Sequence, residues 1–253
     1  MQKVSKIITG LVLFILVATQ FYGYGEEEVD PRYLPSDVFL AMTREPFRQN
    51  SWGKFIGIIQ HKSETVDNAR QHIHVSILFG EHEMRCQVIL NRLSTYTLSQ
   101  QYREKKPPIT NIELPPNTGI TTLQDLGIKL QDLGFSFIYW TLVKEDDMDE
   151  VRGRECRVFR LENPNTGEQM KAWISVKYLF PLKAVWFKED MQTIDRTLEF
   201  TDFRQENDLW YVQTFRLEGD NWKTRIRFVD AKLHHIEDTP IPDDLFQKPN
   251  QVQ

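Results

Sequence analysis

Residues 153–217 run GRECRVFRLENPNTGEQMKAWISVKYLFPLKAVWFKEDMQTIDRTLEFTDFRQENDLWYVQTFRL. Within them, Cys156 to Leu161, Lys171 to Val176, Leu182 to Phe187, Arg196 to Phe203 and Trp210 to Leu217 each place apolar or aromatic residues at every second position. Turn residues separate the runs, most plainly Asn163-Pro164-Asn165-Thr166-Gly167. Side chains of a strand point alternately to its two faces, so Leu198 and Phe200 share one face and Thr197, Glu199 and Thr201 the other. Runs of this length and spacing predict an antiparallel meander with one buried and one wet face. No helix uses a period of two.

The order of the motifs carries a resemblance. Ala172-Trp173-Ile174, a turn, Pro181-Leu182-Lys183, an alternating strand, Leu198-Glu199-Phe200-Thr201-Asp202-Phe203 and finally Trp210-Tyr211-Val212 resemble the outer-membrane lipoprotein-sorting proteins of the LolA/LolB-like superfamily. The match is strict over residues 150–217 and looser before them. It implies an α+β fold, an antiparallel half-open β-barrel with short helices plugging its mouth. It also implies a periplasmic binding protein for acyl chains of lipoproteins or lipids, passing them from an inner-membrane donor to an outer-membrane acceptor.

The N-terminus fits an exported chain. Lys3 and Lys6 precede an apolar run, Ile7 to Ala18, short for a membrane span and suited to a signal-peptide core. Gly23 and Gly25 place cleavage after Gly25, with a retained signal anchor as the alternative. The expectation is a signal peptide over 1–25 and a single domain over 26–253. No cysteine sits near that junction, so a lipid anchor is not expected. Removing Lys3 and Lys6 takes the net charge from −5 to −7, a poor match for nucleic acid or anionic lipid. Cys86 and Cys156 both lie in expected strands. Export permits a disulfide between them, and two buried thiols that never meet is the other reading.

Upstream, Glu26 to Leu34 is an acidic leader without expected structure. Pro35-Ser36-Asp37 predicts a helix start, with Val38, Phe39, Met42 and Phe47 as its apolar stripe. Strands follow over Trp52 to Gln60, Arg70 to Phe79, Met84 to Leu90 and Thr95 to Tyr102, the last ended by Lys105-Lys106-Pro107-Pro108. Leu123, Leu126, Leu130 and Leu133 then recur at helical steps, and Phe137, Ile138, Trp140 and Leu142 follow Gly134, predicting two short helices broken near that glycine. Glu145 to Glu150 reads as a solvated loop. Lys223 to Val229 is a last strand, and Thr239 to Phe246 an extended tail.

Catalytic signatures do not emerge. His72 and His74 share a strand face, a pair that needs a third converging ligand before it binds metal. There is no H-E-x-x-H, C-x-x-C, G-x-S-x-G or glycine-rich phosphate loop. Asp125, Asp132 and Asp202 are not paired by spacing for acid–base work. Neither enzyme, metal nor cofactor is expected.

The chain is instead rich in aromatic side chains, with 16 Phe, 8 Tyr and 6 Trp. Most of them serve a core, but a curved, incompletely closed sheet under broken helices also suits an apolar ligand. The expected lining is Ile73, Val75, Ile77, Phe79, Met84 and Val88 from early strands, Phe200 and Phe215 from late ones, and Phe137 and Trp140 from the plug. A monomeric acyl-chain carrier without covalent chemistry is the leading expectation. An envelope protein–protein sensor module on the same fold is the alternative, and a structural envelope protein or an enzyme of another type comes third.

Overall fold

The structure, a computed structural model, describes residues 29–64, 69–103, 106–116, 121–190 and 192–246. The expected signal peptide and its cleavage site lie outside the described residues. Those described form two compact units divided after Leu34. In the first, Pro31–Tyr33 make one 3₁₀ turn. Asp30 caps it, accepting from the Arg32 backbone N–H at 2.9 Å and from its Nε at 2.8 Å. This part of the leader therefore has local structure where none was expected.

The second unit is one antiparallel sheet of twelve strands. They are β1 (Ser51–Ser63), β2 (Ala69–Phe79), β3 (Glu83–Leu90), β4 (Ser94–Arg103), β5 (Lys106–Glu113), β6 (Thr141–Val151), β7 (Arg154–Glu162), β8 (Gln169–Ser175), β9 (Pro181–Phe187), β10 (Ile194–Glu206), β11 (Leu209–Gly219) and β12 (Trp222–His235). Their spatial order is β5-β4-β3-β2-β1-β12-β11-β10-β9-β8-β7-β6. Two meanders, β1–β5 and β6–β12, are therefore zipped along β1 and β12, from Ser51 opposite His235 to Ser63 opposite Trp222. The sheet does not close on itself, because β5 and β6 remain its two edges. The alternation over 153–217 led us to expect the meander, and the resemblance implied the half-open barrel that it forms.

Three expectations need correction, each for a physical reason. The fourth strand ends at Arg103 as expected, but an unexpected fifth follows it: Pro108 lies inside β5, an edge strand, where a residue with no N–H to donate is tolerated. The acidic run 145–150 is not a loop but most of β6, the opposite edge. Charged side chains on an edge strand oppose pairing with another chain. The plug is less helical than expected. It consists of turns over 123–127, the single helical turn α2 (Leu130–Leu133) and a 3₁₀ turn over Ser136–Tyr139, with β6 starting at Thr141.

The first helix, α1 (Ser36–Arg44), runs into a 3₁₀ turn over Glu45–Arg48. Its buried stripe is Phe39, Leu40 and Thr43, continued by Phe47, while Val38 is exposed. The expected cap is absent as well, because the Ser36 hydroxyl donates to Glu145 on β6 instead. After β12, which runs six residues beyond its expected end, the tail turns at Pro242 and Leu245 rather than staying extended. Leu245 is buried against Trp52 and Leu78, and the Trp52 indole donates to the Thr239 carbonyl at 3.0 Å.

Candidate ligand-binding face

Alternation sorts the side chains of the sheet. In β4, Tyr96, Leu98 and Gln100 are buried while Thr95, Thr97 and Ser99 between them are partly open. The buried set faces the plug, since a Cβ on Gly134 would come within 2.7 Å of both Leu98 Cδ2 and Met84 Cε. Only a glycine brings the plug backbone that close to the sheet. Tyr96 reaches the same segment, its hydroxyl accepting from the Leu123 N–H at 3.1 Å.

Of the ten expected lining residues, Ile73, Val75, Ile77, Met84, Val88, Phe137, Phe200 and Phe215 are each under 5 % exposed. Phe79 and Trp140 are half-buried. Val75 lies opposite Val88 and Phe79 opposite Met84. The late-strand residues join an aromatic network: Phe200 meets Phe215 at 5.4 Å between ring centroids, Phe215 meets Phe228 at 5.9 Å, and Phe228 meets Phe55 at 5.2 Å. Phe135 is the hub, within 5.2 Å of Phe47, Phe180 and Phe200. The plug and α1 thus lie directly on these side chains. The broad depressions among the described residues are polar instead. One of about 570 Å³ runs past Asp146, Arg160, Lys171 and Trp173, and a smaller one lies beside Lys62, Arg216 and Lys223.

Apolar packing seats the cover, with Phe39 on Phe159 and Phe137 on Trp186, and polar contacts add to it at four points. At the first, Asp132 of α2 takes a bidentate pair from Arg196 of β10, at 2.7 and 3.0 Å. Both residues are 5 % exposed or less, and the guanidinium stacks 3.6 Å from the Trp186 ring centre. At the second, both carboxylate oxygens of Glu145 accept from Arg157, each at 2.7 Å, and the guanidinium lies over Phe39 of α1. Burial pushes the Glu145 carboxyl up, but the bonds from Arg157 and Ser36 hold it below its ordinary value.

At the third, Arg44 donates to the Ile138 carbonyl at 2.9 Å, Tyr139 stacks on Tyr102 at 5.0 Å, and burial pushes the Tyr102 phenol up to about 12. At the fourth, the Thr224 hydroxyl donates to the Leu126 carbonyl at 2.6 Å and bonds His61 Nδ1 at 2.8 Å. Gly127, at φ +69°, sits under the Trp222 ring, where a Cβ would come within 2.4 Å.

Desolvation lowers the pKa of His61, and burial and the charge of Arg92 that of His74. A histidine whose folded pKa is depressed contributes stability above its unfolded value near 6.5, and that stability is lost as pH falls through the folded value. Wild type is expected to lose Tm between pH 7.5 and 5, and His61→Gln to flatten part of that slope in a thermal melt series.

The two cysteines are free, buried thiols on β3 and β7, with seven strands between them. Desolvation pushes Cys86 up to about 12 and Cys156 to about 11, so neither is poised as a nucleophile. His72 and His74 lie on β2, and the described residues contain no group of three metal-ligating side chains. The residues that pin the cover escaped sequence reading, although each carries a signal. Arg157 and Arg196 are polar residues standing in the inward register of alternating strands, beside Phe159 and Leu198 respectively.

No protein-family model matches the sequence, and no curated protein does. Among solved structures, the chain is similar to a DUF1329 family protein of Desulfovibrio piger, with a TM-score of 0.62 at 12% identity over 83% of this chain and 95% of that one. It is similar to an outer membrane lipoprotein-sorting protein domain of Vibrio parahaemolyticus, with a TM-score of 0.58 at 12% identity over 82% and 94%. A LolA superfamily protein of Nitrosomonas europaea gives a TM-score of 0.48 at 14% identity over 85% and 98%. The twelve-stranded open antiparallel half-barrel with short helices is thus a fold that this chain shares with the first two of these structures.

Proposed function

We propose that this protein is a periplasmic carrier of acyl chains, taking up a lipid or lipoprotein chain against the inner face of its sheet and yielding it to a membrane acceptor. The observation behind this reading is the unequal construction of the two sides. The sheet presents a broad aromatic and aliphatic surface, while its cover is only two short segments, 36–48 and 123–139, seated on it by apolar side chains and tied to it by one ion pair, Asp132 with Arg196, and a few hydrogen bonds such as that from Thr224 to Leu126. Each methylene transferred from water to such a surface gains about 0.8 kcal/mol, so a chain of ten gains roughly 8 kcal/mol without polar recognition. On that surface the chain takes over apolar contacts that the cover gives up, which offsets part of the cost of lifting it. No covalent step is involved.

Native mass spectrometry of protein purified from a periplasm, with lipid extraction, tests the proposal. A co-purifying acylated species is expected, together with saturable uptake of a fluorescent fatty acid. Empty protein that also takes up no fatty acid would overturn it and favour an interaction module on the same fold.

A further inference from the structure

The inner face carries a side-chain amide that the fold leaves unanswered at both of its polar atoms. Gln100 is fully buried, and among the described residues neither its Nε2 nor its Oε1 has a hydrogen-bond partner. Its place is defined from both sides. Leu98, two residues before it, lies under Gly134; Tyr102, two residues after it, stacks on Tyr139; and Met84 is directly opposite on β3. The plug approaches Leu98 and Met84 at Gly134, where a Cβ would come within 3.6 Å of Ser136 Oγ, and that buried hydroxyl is also without a partner. An amide desolvated without compensation is costly, and native proteins rarely leave both of its atoms unpaired. Because both atoms are orphaned, exchanging them by an amide flip changes nothing.

We infer that Gln100 and Ser136 form the polar end of the acyl-chain site and recognise a chain joined through a secondary amide. This deepens the carrier reading and rests on it. A trans secondary amide points its N–H and its carbonyl to opposite sides, so its N–H donates to Gln100 Oε1 while its carbonyl turns toward the cover. There the Ser136 hydroxyl donates to that carbonyl. An ester has no N–H and leaves Oε1 unsatisfied. A free carboxylate brings a charge to a position flanked by Leu98 and Met84, where burial without a cation is far more costly.

The test is displacement of a bound fluorescent fatty acid by N-methyl lauramide and by methyl laurate, two probes with the same chain, on wild type and on Gln100→Leu. Wild type is expected to prefer the amide about tenfold, the factor set by one buried acceptor left unpaired. Gln100→Leu is expected to bind both probes equally. Equal displacement by both in wild type, or a preference that survives in Gln100→Leu, would overturn the inference and leave the carrier standing. No displacement by either probe, with no fatty acid bound, would overturn both. The comparison of the two probes on wild type stands without the variant.

Discussion

Replacing Arg196 by alanine is expected to destabilise the protein by about 3–5 kcal/mol, because it strands a carboxylate in an apolar site. Asp132 is 1 % exposed, and its remaining bond to Oδ2 from the Lys129 backbone at 3.0 Å cannot neutralise it. The Trp186 ring loses its stacked cation at the same time. Combining Arg196→Met with Asp132→Leu should recover most of the loss, since replacing both charges with apolar groups of similar size is often neutral. Urea denaturation of Arg196→Met, Asp132→Leu and their double gives the coupling directly. Hydrogen exchange should place the damage, with the amides of Leu126, Ile128 and Ile138 losing protection before those of β1 and β12. Additive losses across the cycle would mean that the clamp does not act as a unit.

Phe135→Ala is expected to cost a similar amount, about 3–5 kcal/mol, for a different reason. Its ring joins the plug to Phe47, Phe180 and Phe200, so truncation opens space that several elements share. The residue also has a φ of 53°, which a bulky side chain adopts only against its preference. Alanine keeps that backbone penalty while losing the ring, whereas glycine loses the ring and removes the penalty. Phe135→Gly should therefore be about 1 kcal/mol more stable than Phe135→Ala, the reverse of the order at ordinary positions. Guanidinium midpoints of the two variants, with matching slopes, decide it. The usual order, alanine above glycine, would show that the positive φ stores no strain.

The later half of the sheet was legible because β7 to β11 each bury one face, and burial on one face writes itself into sequence as alternation. β6 was not. It is open on both faces over most of its length, so Glu145, Asp146 and Asp147 follow one another with no apolar alternation to betray a strand. Its acids are nonetheless answered in space. Burial raises the Asp146 carboxyl, but bonds from Lys144, Lys171 and Arg160 bring it well below its usual range. Lys171 and Arg160 belong to β8 and β7, neighbours that only the folded sheet provides. The Asp132–Arg196 pair spans 64 residues, and spacing along the chain holds no trace of it. The apolar residues of the inner face could be named from alternation, whereas the side chains that fasten its cover could only have been flagged as polar intruders in an inward register.

The seam between β1 and β12 also governs how the chain must assemble. Every other neighbouring pair in the sheet joins consecutive strands, so each meander can grow from local hairpins as it emerges. The β1–β12 pairing must instead wait for the last of the twelve strands and close a loop spanning nearly the whole domain, whose entropic cost delays folding. Until then β1 is an open edge between Trp52 and the rest of an apolar strand, exposed to wrong partners. The step that completes the sheet is also the one that ends its vulnerability to aggregation. A chain cut between the meanders would leave two pieces whose fate depends on that single zipper re-forming between them.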